Sequence, residues 1–202
     1  MDIQGRRRIS GRRAAWALAV VLIAGAVVGP AVGGDLTVEM KKDAARIQAE
    51  LDRIREQRAD RISGPMRSVA FTERELNSWL AVLLEANRDD VLRELALKLF
   101  DDNRVEGKAF VDMSGASLPL GLKPRMNIFF AGQVIVRDGA AKIDIDKLFL
   151  EGQAIPIVLM DVIIAAAAAW GKSDAGSIND WVALPSGLKD LRSRKGSVIL
   201  YY

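Results

Sequence analysis

Along this chain the spacing of apolar positions changes several times, and each change marks an element. Met40, Ala44, Ile47, Leu51 and Ile54 recur in alternating steps of four and three, the stripe of an amphipathic helix. Acidic and basic residues interleave on the other faces, as on a solvated surface. Arg58 takes the next stripe position, so the seam covers about two heptads, fewer than the three or four of a stable coiled coil. The pattern predicts a helical stalk over residues 35–62, either solvated or paired as a homodimer. Such a stalk would hold the body about 40 Å from its attachment. Ser63-Gly64-Pro65 then breaks the helix and marks a hinge and domain boundary.

A second helix opens at Thr72. Thr72 with Glu75 is a capping box, and Phe71 before the cap can staple onto Leu76. Leu76, Leu80, Leu83 and Leu84, with Trp79 beside them, give one broad apolar face. Beyond it the period falls to two. Leu95, Leu97 and Leu99 alternate, Asp101-Asp102-Asn103 turns, and Val105 to Met113 alternate again, which predicts a hairpin. Met126–Val136 and Lys142–Leu150 flank Arg137-Asp138-Gly139-Ala140, where Asp-Gly signals a second hairpin. Phe129, Phe130 and Ala131 are consecutive, so the strand is apolar on both faces there, and a sheet covered on both sides is expected. Pro156 opens IPIVLMDVIIAAAAAW, sixteen residues with Asp161 inside. That is short and charged for a membrane span, so a core helix against the sheet is expected. The turn Leu184-Pro185-Ser186-Gly187-Leu188 and a last strand, GSVILYY, close the chain. The fold class expected over residues 66–202 is α+β, a largely antiparallel curved sheet packed on two helices.

The first 34 residues follow another rule. Arg6, Arg7, Arg8, Arg12 and Arg13 lie in a basic tail over residues 1–13, and residues 14–34 carry no charge. A run of this length suits a spanning helix better than a cleaved signal, although Ala31-Val32-Gly33 offers a small-residue site. Basic residues before it keep the N-terminus in the cytoplasm. The expectation is a single-pass signal-anchor in the inner (cytoplasmic) membrane, with the body in the periplasm. The sequence pI is about 9.3. Beyond the tail, however, the chain has 24 basic and 25 acidic residues, so a nucleic-acid partner is not expected.

Composition restricts the chemistry further. There is no histidine and no cysteine, which removes the commonest general base, disulfides, thiol chemistry and the usual zinc ligands. Asp144 and Asp146 share a strand face, and Asp101, Asp102 and Asn103 share a turn, but neither has the ligand pattern of an EF-hand. No metal or cofactor is expected. No nucleophile elbow, phosphate loop or dinucleotide fingerprint is present.

The run Thr72-Glu73-Arg74-Glu75-Leu76-Asn77 opening an apolar helix resembles small bacterial envelope proteins of the tubular lipid-binding (TULIP-like) superfamily. So do the anchor before it, the hairpins after it, and Leu184-Pro185-Ser186-Gly187-Leu188 before a last strand. The resemblance covers about residues 66–202. It implies a curved antiparallel sheet wrapped around a long helix, binding lipid or another amphiphile beside the membrane without catalysis. On that basis Leu76, Leu80 and Leu83 are the implied ligand-lining residues; Phe129 of the two-sided strand and Ile163 and Trp170 of the apolar helix join them from the apolar pattern. The rival expectation is a structural or interaction protein that recruits an envelope partner through its stalk or sheet edge. A third is a His-free hydrolase using Ser or Asp.

Overall fold

A computed structural model of the chain describes residues 36–59, 65–86, 91–114, 123–171, 176–177 and 179–202, the side chains of 58–59 and 167–171 excepted. The basic tail, the apolar run 14–34 and most of the Ser63-Gly64-Pro65 break lie outside the described residues. Among the described residues no helix is long and apolar enough to cross a membrane.

Among the described residues, three helices and nine strands make an α+β fold around a curled, antiparallel half-barrel sheet. Helix α1 spans Val38–Ala59. Strand β1 (Ser68–Thr72) leads directly into α2 (Glu73–Ala86). Two long hairpins follow: β2 (Leu92–Leu99) with β3 (Arg104–Asp112), and β4 (Arg125–Arg137) with β5 (Ala140–Leu150). After the short β6 (Gln153–Ala154) come α3 (Val158–Gly171) and β7 (Val182–Ala183). Strands β8 (Asp190–Arg194) and β9 (Ser197–Tyr201) end the chain. The larger sheet runs β2-β3-β4-β5-β6 with β7 also on β5, and the smaller runs β1-β9-β8.

Local chemistry explains the turns. Asp138 and Gly139 both have positive φ (52° and 73°) and join β4 to β5 in two residues, the mirror-image geometry that matches strand twist. Asp102 and Asn103 also have positive φ (58° and 59°), a conformation that short polar side chains tolerate. This turn stitches the two sheets together. Asn103 Oδ1 accepts the Ser193 amide at 2.8 Å and Asp101 Oδ1 accepts the Lys195 amide at 3.2 Å.

The helix expected to stand as a stalk is folded into the body. Its stripe, Ala44, Ile47, Leu51 and Ile54, is only 2–3% exposed, and Ile47 and Leu51 meet α2 and both sheets. The alternation of steps fits a coiled-coil seam and a core-facing helix equally well, and here the partner is the chain's own concave sheet. The stripe on which a stalk homodimer would rest is therefore covered, and the expected domain boundary near residue 66 does not separate two units. Thr37 caps α1, its Oγ1 accepting the Met40 amide at 3.1 Å.

Polar contacts fix α1 on α2. The capping box forms as expected: the Thr72 amide donates to Glu75 Oε2 (2.8 Å) and the Glu75 amide to Thr72 Oγ1 (3.2 Å). Arg46 of α1 pairs with the same Glu75 and lies 5.1 Å from the Phe71 ring centroid. Arg74 pairs with Glu39 and Asp43, and Ser78 Oγ donates to Asp43. A second device uses the next turn of α2. Asn77 donates to the Leu97 carbonyl (2.8 Å) and accepts the Leu97 amide (2.7 Å), while Glu73 accepts the Leu99 amide (2.7 Å). These side chains occupy the edge of β2 where a further strand would pair.

The expectation of a sheet covered on both sides is corrected. Phe130 is buried over Gly107 on the opposite strand, where a Cβ would lie 2.1 Å from the ring. Phe129 faces outward and is 39% exposed, held between its cross-strand partners Phe149 and Lys108. An aromatic pair beside a lysine stem tolerates water on a sheet face. Helix α3 is also one-sided: Met160, Ile163 and Ile164 join the core, whereas Val158, Leu159 and Val162 are exposed. Its Asp161, in the first helical turn, accepts a hydrogen bond from Ser177 Oγ at 2.9 Å.

Two outcomes follow. Leu51→Ala should lower the unfolding free energy by about 2–5 kcal/mol in a denaturant titration; a stalk outside the fold would leave the body's transition unchanged. Acid should act through Glu75. Burial pushes its pKa up, but the Thr72 amide and the Arg46 guanidinium outweigh that and hold it below 4.5. A depressed folded-state pKa contributes stability above the unfolded value and loses it as pH falls through the folded one. Melting temperature should therefore fall below about pH 4.5, and Glu75→Gln should flatten part of that acid limb.

Candidate functional site

The residues implied as a lipid lining do not converge on one space. Between α1, α2 and the two sheets lies an apolar cavity of about 70 Å³, bounded by Ile47, Leu51, Phe71, Leu76, Trp79 and residues of the β strands. Of the five expected residues whose side chains are described, only Leu76 borders it. Leu80, Leu83 and Ile163 are buried, 0–3% exposed, in close-packed parts of the core. Phe129 sits on the outer face of the sheet, and the side chain of Trp170 lies outside the described residues. An empty, apolar cavity known to hold benzene measures about 150 Å³. The internal space here, at about 70 Å³, is less than half of that and has no room for an acyl chain.

A second space is larger and opens to the surface. It measures about 500 Å³ and lies between the C-terminal half of α1, the start of β1, the β4–β5 turn and the segment leading into β8. Ile54, Leu184, Pro185 and Leu188 make its apolar floor; Arg67, Lys189, Gln57 and Tyr202 stand around them. They come from α1, the residue before β1, the 184–189 segment and the last residue of the chain, and backbone pairing holds these segments in place. Arg67 and Tyr202 exchange two backbone hydrogen bonds, at 2.9 and 3.0 Å. The Leu184 amide donates to Gly139 O at 2.8 Å, and the Leu188 amide to Pro185 O at 3.0 Å. Arg53 donates to Tyr202 Oη at 2.8 Å and stacks 5.6 Å from that ring's centroid.

Gly187 fits the turn to α1. Its φ is +104°, and a Cβ there would lie 2.8 Å from Ile54 Cγ2 and 2.9 Å from Ile54 O. Only glycine allows both the left-handed conformation and this approach. The Pro-Ser-Gly turn that was legible as a chain reversal is thus one wall of the cleft.

The electrostatics are one-sided. Among the described residues no Asp or Glu side chain lines the cleft, and neither Arg67 nor Lys189 forms an ion pair with them. These residues set two cations beside an apolar floor, the complement of an amphiphile with an anionic head. Among the described residues no group of three or more His, Cys, Asp or Glu is placed to hold a metal. The buried Ser193 hydroxyl is spent on the Phe100 carbonyl at 2.8 Å. Asp144 and Asp146 are exposed on β5, and Ala131 pairs with Lys147 while Gln133 pairs with Asp144, so a bulge lies between them.

Periodicity missed this cleft because its segments, one turn of α1, residues 65–67, Gly139, residues 184–189 and Tyr202, meet only in the folded chain. The only signal was the Leu-Pro-Ser-Gly-Leu motif itself. No family model, no curated protein and no solved structure matches the chain.

Gly187→Ala should lower the unfolding free energy by about 1–3 kcal/mol, measured by denaturant titration. Unchanged stability would mean that the turn does not abut Ile54.

Proposed function

We propose that this protein binds an anionic lipid or other anionic amphiphile, without catalysis, in the open cleft formed by Ile54, Leu184, Leu188, Arg67, Lys189 and Tyr202. The observation that carries it is the pairing of volume and lining. About 500 Å³ falls within the range of about 300–1,000 Å³ typical of small-molecule sites. An apolar floor takes the tail, and two cations take the head. The sequence resemblance to TULIP-like proteins implies an amphiphile ligand, read here at the rim and not in an internal tunnel. The apolar run 14–34, which lies outside the described residues, has the sequence pattern of an anchor, and a tethered body would meet membrane lipid. The two handles of the rival, a partner-recruiting envelope protein, are engaged internally: the α1 stripe by the core, and the second half of the β2 edge by Asn77 and Glu73.

A photoreactive fatty acid offered to the full-length protein, followed by peptide mapping, tests this. Adducts should concentrate on residues 54–57, 184–188 and 202. Arg67→Gln with Lys189→Gln should reduce them roughly 10- to 100-fold, since a hydrogen bond to a charged group is worth about 1.5–3 kcal/mol. Adducts on Leu97, Val105 and Ile143 would put the ligand in the internal cavity and sink the cleft. Labelling no higher than background would remove the amphiphile itself.

A further inference from the structure

Next to the cleft is a surface that the amphiphile site does not use. Trp181, immediately before β7, is 43% exposed. Two cations flank its ring: Arg137 Cζ lies 5.8 Å and Lys142 Nζ 5.5 Å from the centroid. The placement follows from strand pairing. Arg137 ends β4 and Lys142 lies early in β5, on either side of the two-residue turn, and β7 pairs with β5 through Ala140↔Ala183 and Ala141↔Val182. The same segment enters the cleft one step later, through the 2.8 Å hydrogen bond from Leu184 to Gly139. Trp181 and the cleft therefore share one corner of the molecule.

Among the described residues no carboxylate pairs with Arg137 or Lys142. The nearest acids in sequence are Asp138, exposed in the turn, Asp144, exposed two residues beyond Lys142 on the same strand, and Asp180, whose Oδ2 accepts the Ser177 amide at 2.7 Å. Arg67 and Lys189 on the cleft add two more cations. A half-exposed indole between cations is the chemistry of a membrane–water interface: the ring sits at headgroup depth while the cations meet lipid phosphates. The placement of α1 strengthens the case. Because this helix belongs to the body and starts at Val38, at most about 14 Å of extended chain separates it from Gly34, the end of the apolar run. No stalk intervenes, so a tethered body lies against the bilayer.

We infer that the Trp181–Arg137–Lys142 corner docks on the anionic surface of a bilayer and turns the cleft toward it, so that the amphiphile is taken from the membrane itself. This rests on the cleft reading for its purpose but not for its test. Full-length protein is reconstituted in phosphatidylcholine vesicles with and without phosphatidylglycerol, carrying acyl chains brominated near the headgroup. Subtracting the emission of Trp181→Phe isolates the signal of Trp181. It should be quenched when phosphatidylglycerol is present and recover at high salt, which shortens electrostatic range to about 3 Å at 1 M. Arg137→Gln with Lys142→Gln should weaken docking on the order of tenfold or more, with melting temperature unchanged. Quenching that ignores phosphatidylglycerol, or none in either vesicle, overturns the proposal; so does protection of Trp181 only on adding a soluble acidic protein. Arg67→Gln with Lys189→Gln lies outside the Trp181 contact. If photoadducts at the cleft fail while phosphatidylglycerol-dependent quenching persists, docking stands and the cleft reading falls.

Discussion

A half-barrel curled on itself exposes a concave apolar face, and everything else in this structure depends on how that face is covered. The cover is α1. Its residues Ile47, Leu51 and Ile54 are 2–3% exposed, and burying each contributes about 1.5–3 kcal/mol. Three such side chains approach the whole net stability of an ordinary domain, about 5–15 kcal/mol. The ion pairs along the same seam add less, because Arg46 and Arg74 remain half or more exposed and water screens them. Their contribution is to set the register of α1 on α2. Glu75 is the hinge of that arrangement, since it caps its own helix and receives Arg46 from the other.

Register has a functional consequence. With α1 seated by Ala44, Ile47 and Leu51, the next stripe residue, Ile54, reaches the Gly187 turn and becomes the cleft floor. The same packing that leaves about 70 Å³ inside leaves about 500 Å³ at the rim. The larger space thereby lies at the corner of the fold and not in its middle, beside cations that the interior could not hold without partners. Trp181 and its two cations share that corner because β7, the β4–β5 turn and the Gly187 turn are consecutive in space.

Much of the fold was legible in the residues. The capping box at Thr72 and Glu75, the Asp-Gly hairpin and the alternating strands are local signals, each decided within a few residues by turn geometry or side-chain period. Asn77 and Glu73 were legible only as helix residues. That they occupy the β2 edge depends on where a strand twenty residues later comes to lie. The candidate site was scarcely legible. Phe129 belongs to an apolar triplet, and alternation cannot say which of its faces meets water. Leu80, Leu83 and Ile163 are apolar at helical spacing and serve as plain core.

By itself, the sequence determined the three helices, the two long hairpins with their turns, and the last strand; it left open whether the stripe on α1 is solvated or paired. It also removed histidine and cysteine chemistry altogether. Tertiary structure alone decided that the covering surface is the chain's own sheet, that Phe129 faces outward, and that Arg67, Gly187, Lys189 and Tyr202 meet around one cleft. The physical reason is the range of each constraint. Periodicity and turn preference act between neighbours along the chain, whereas the partner of an apolar face is chosen by the global demand to leave no concave surface uncovered.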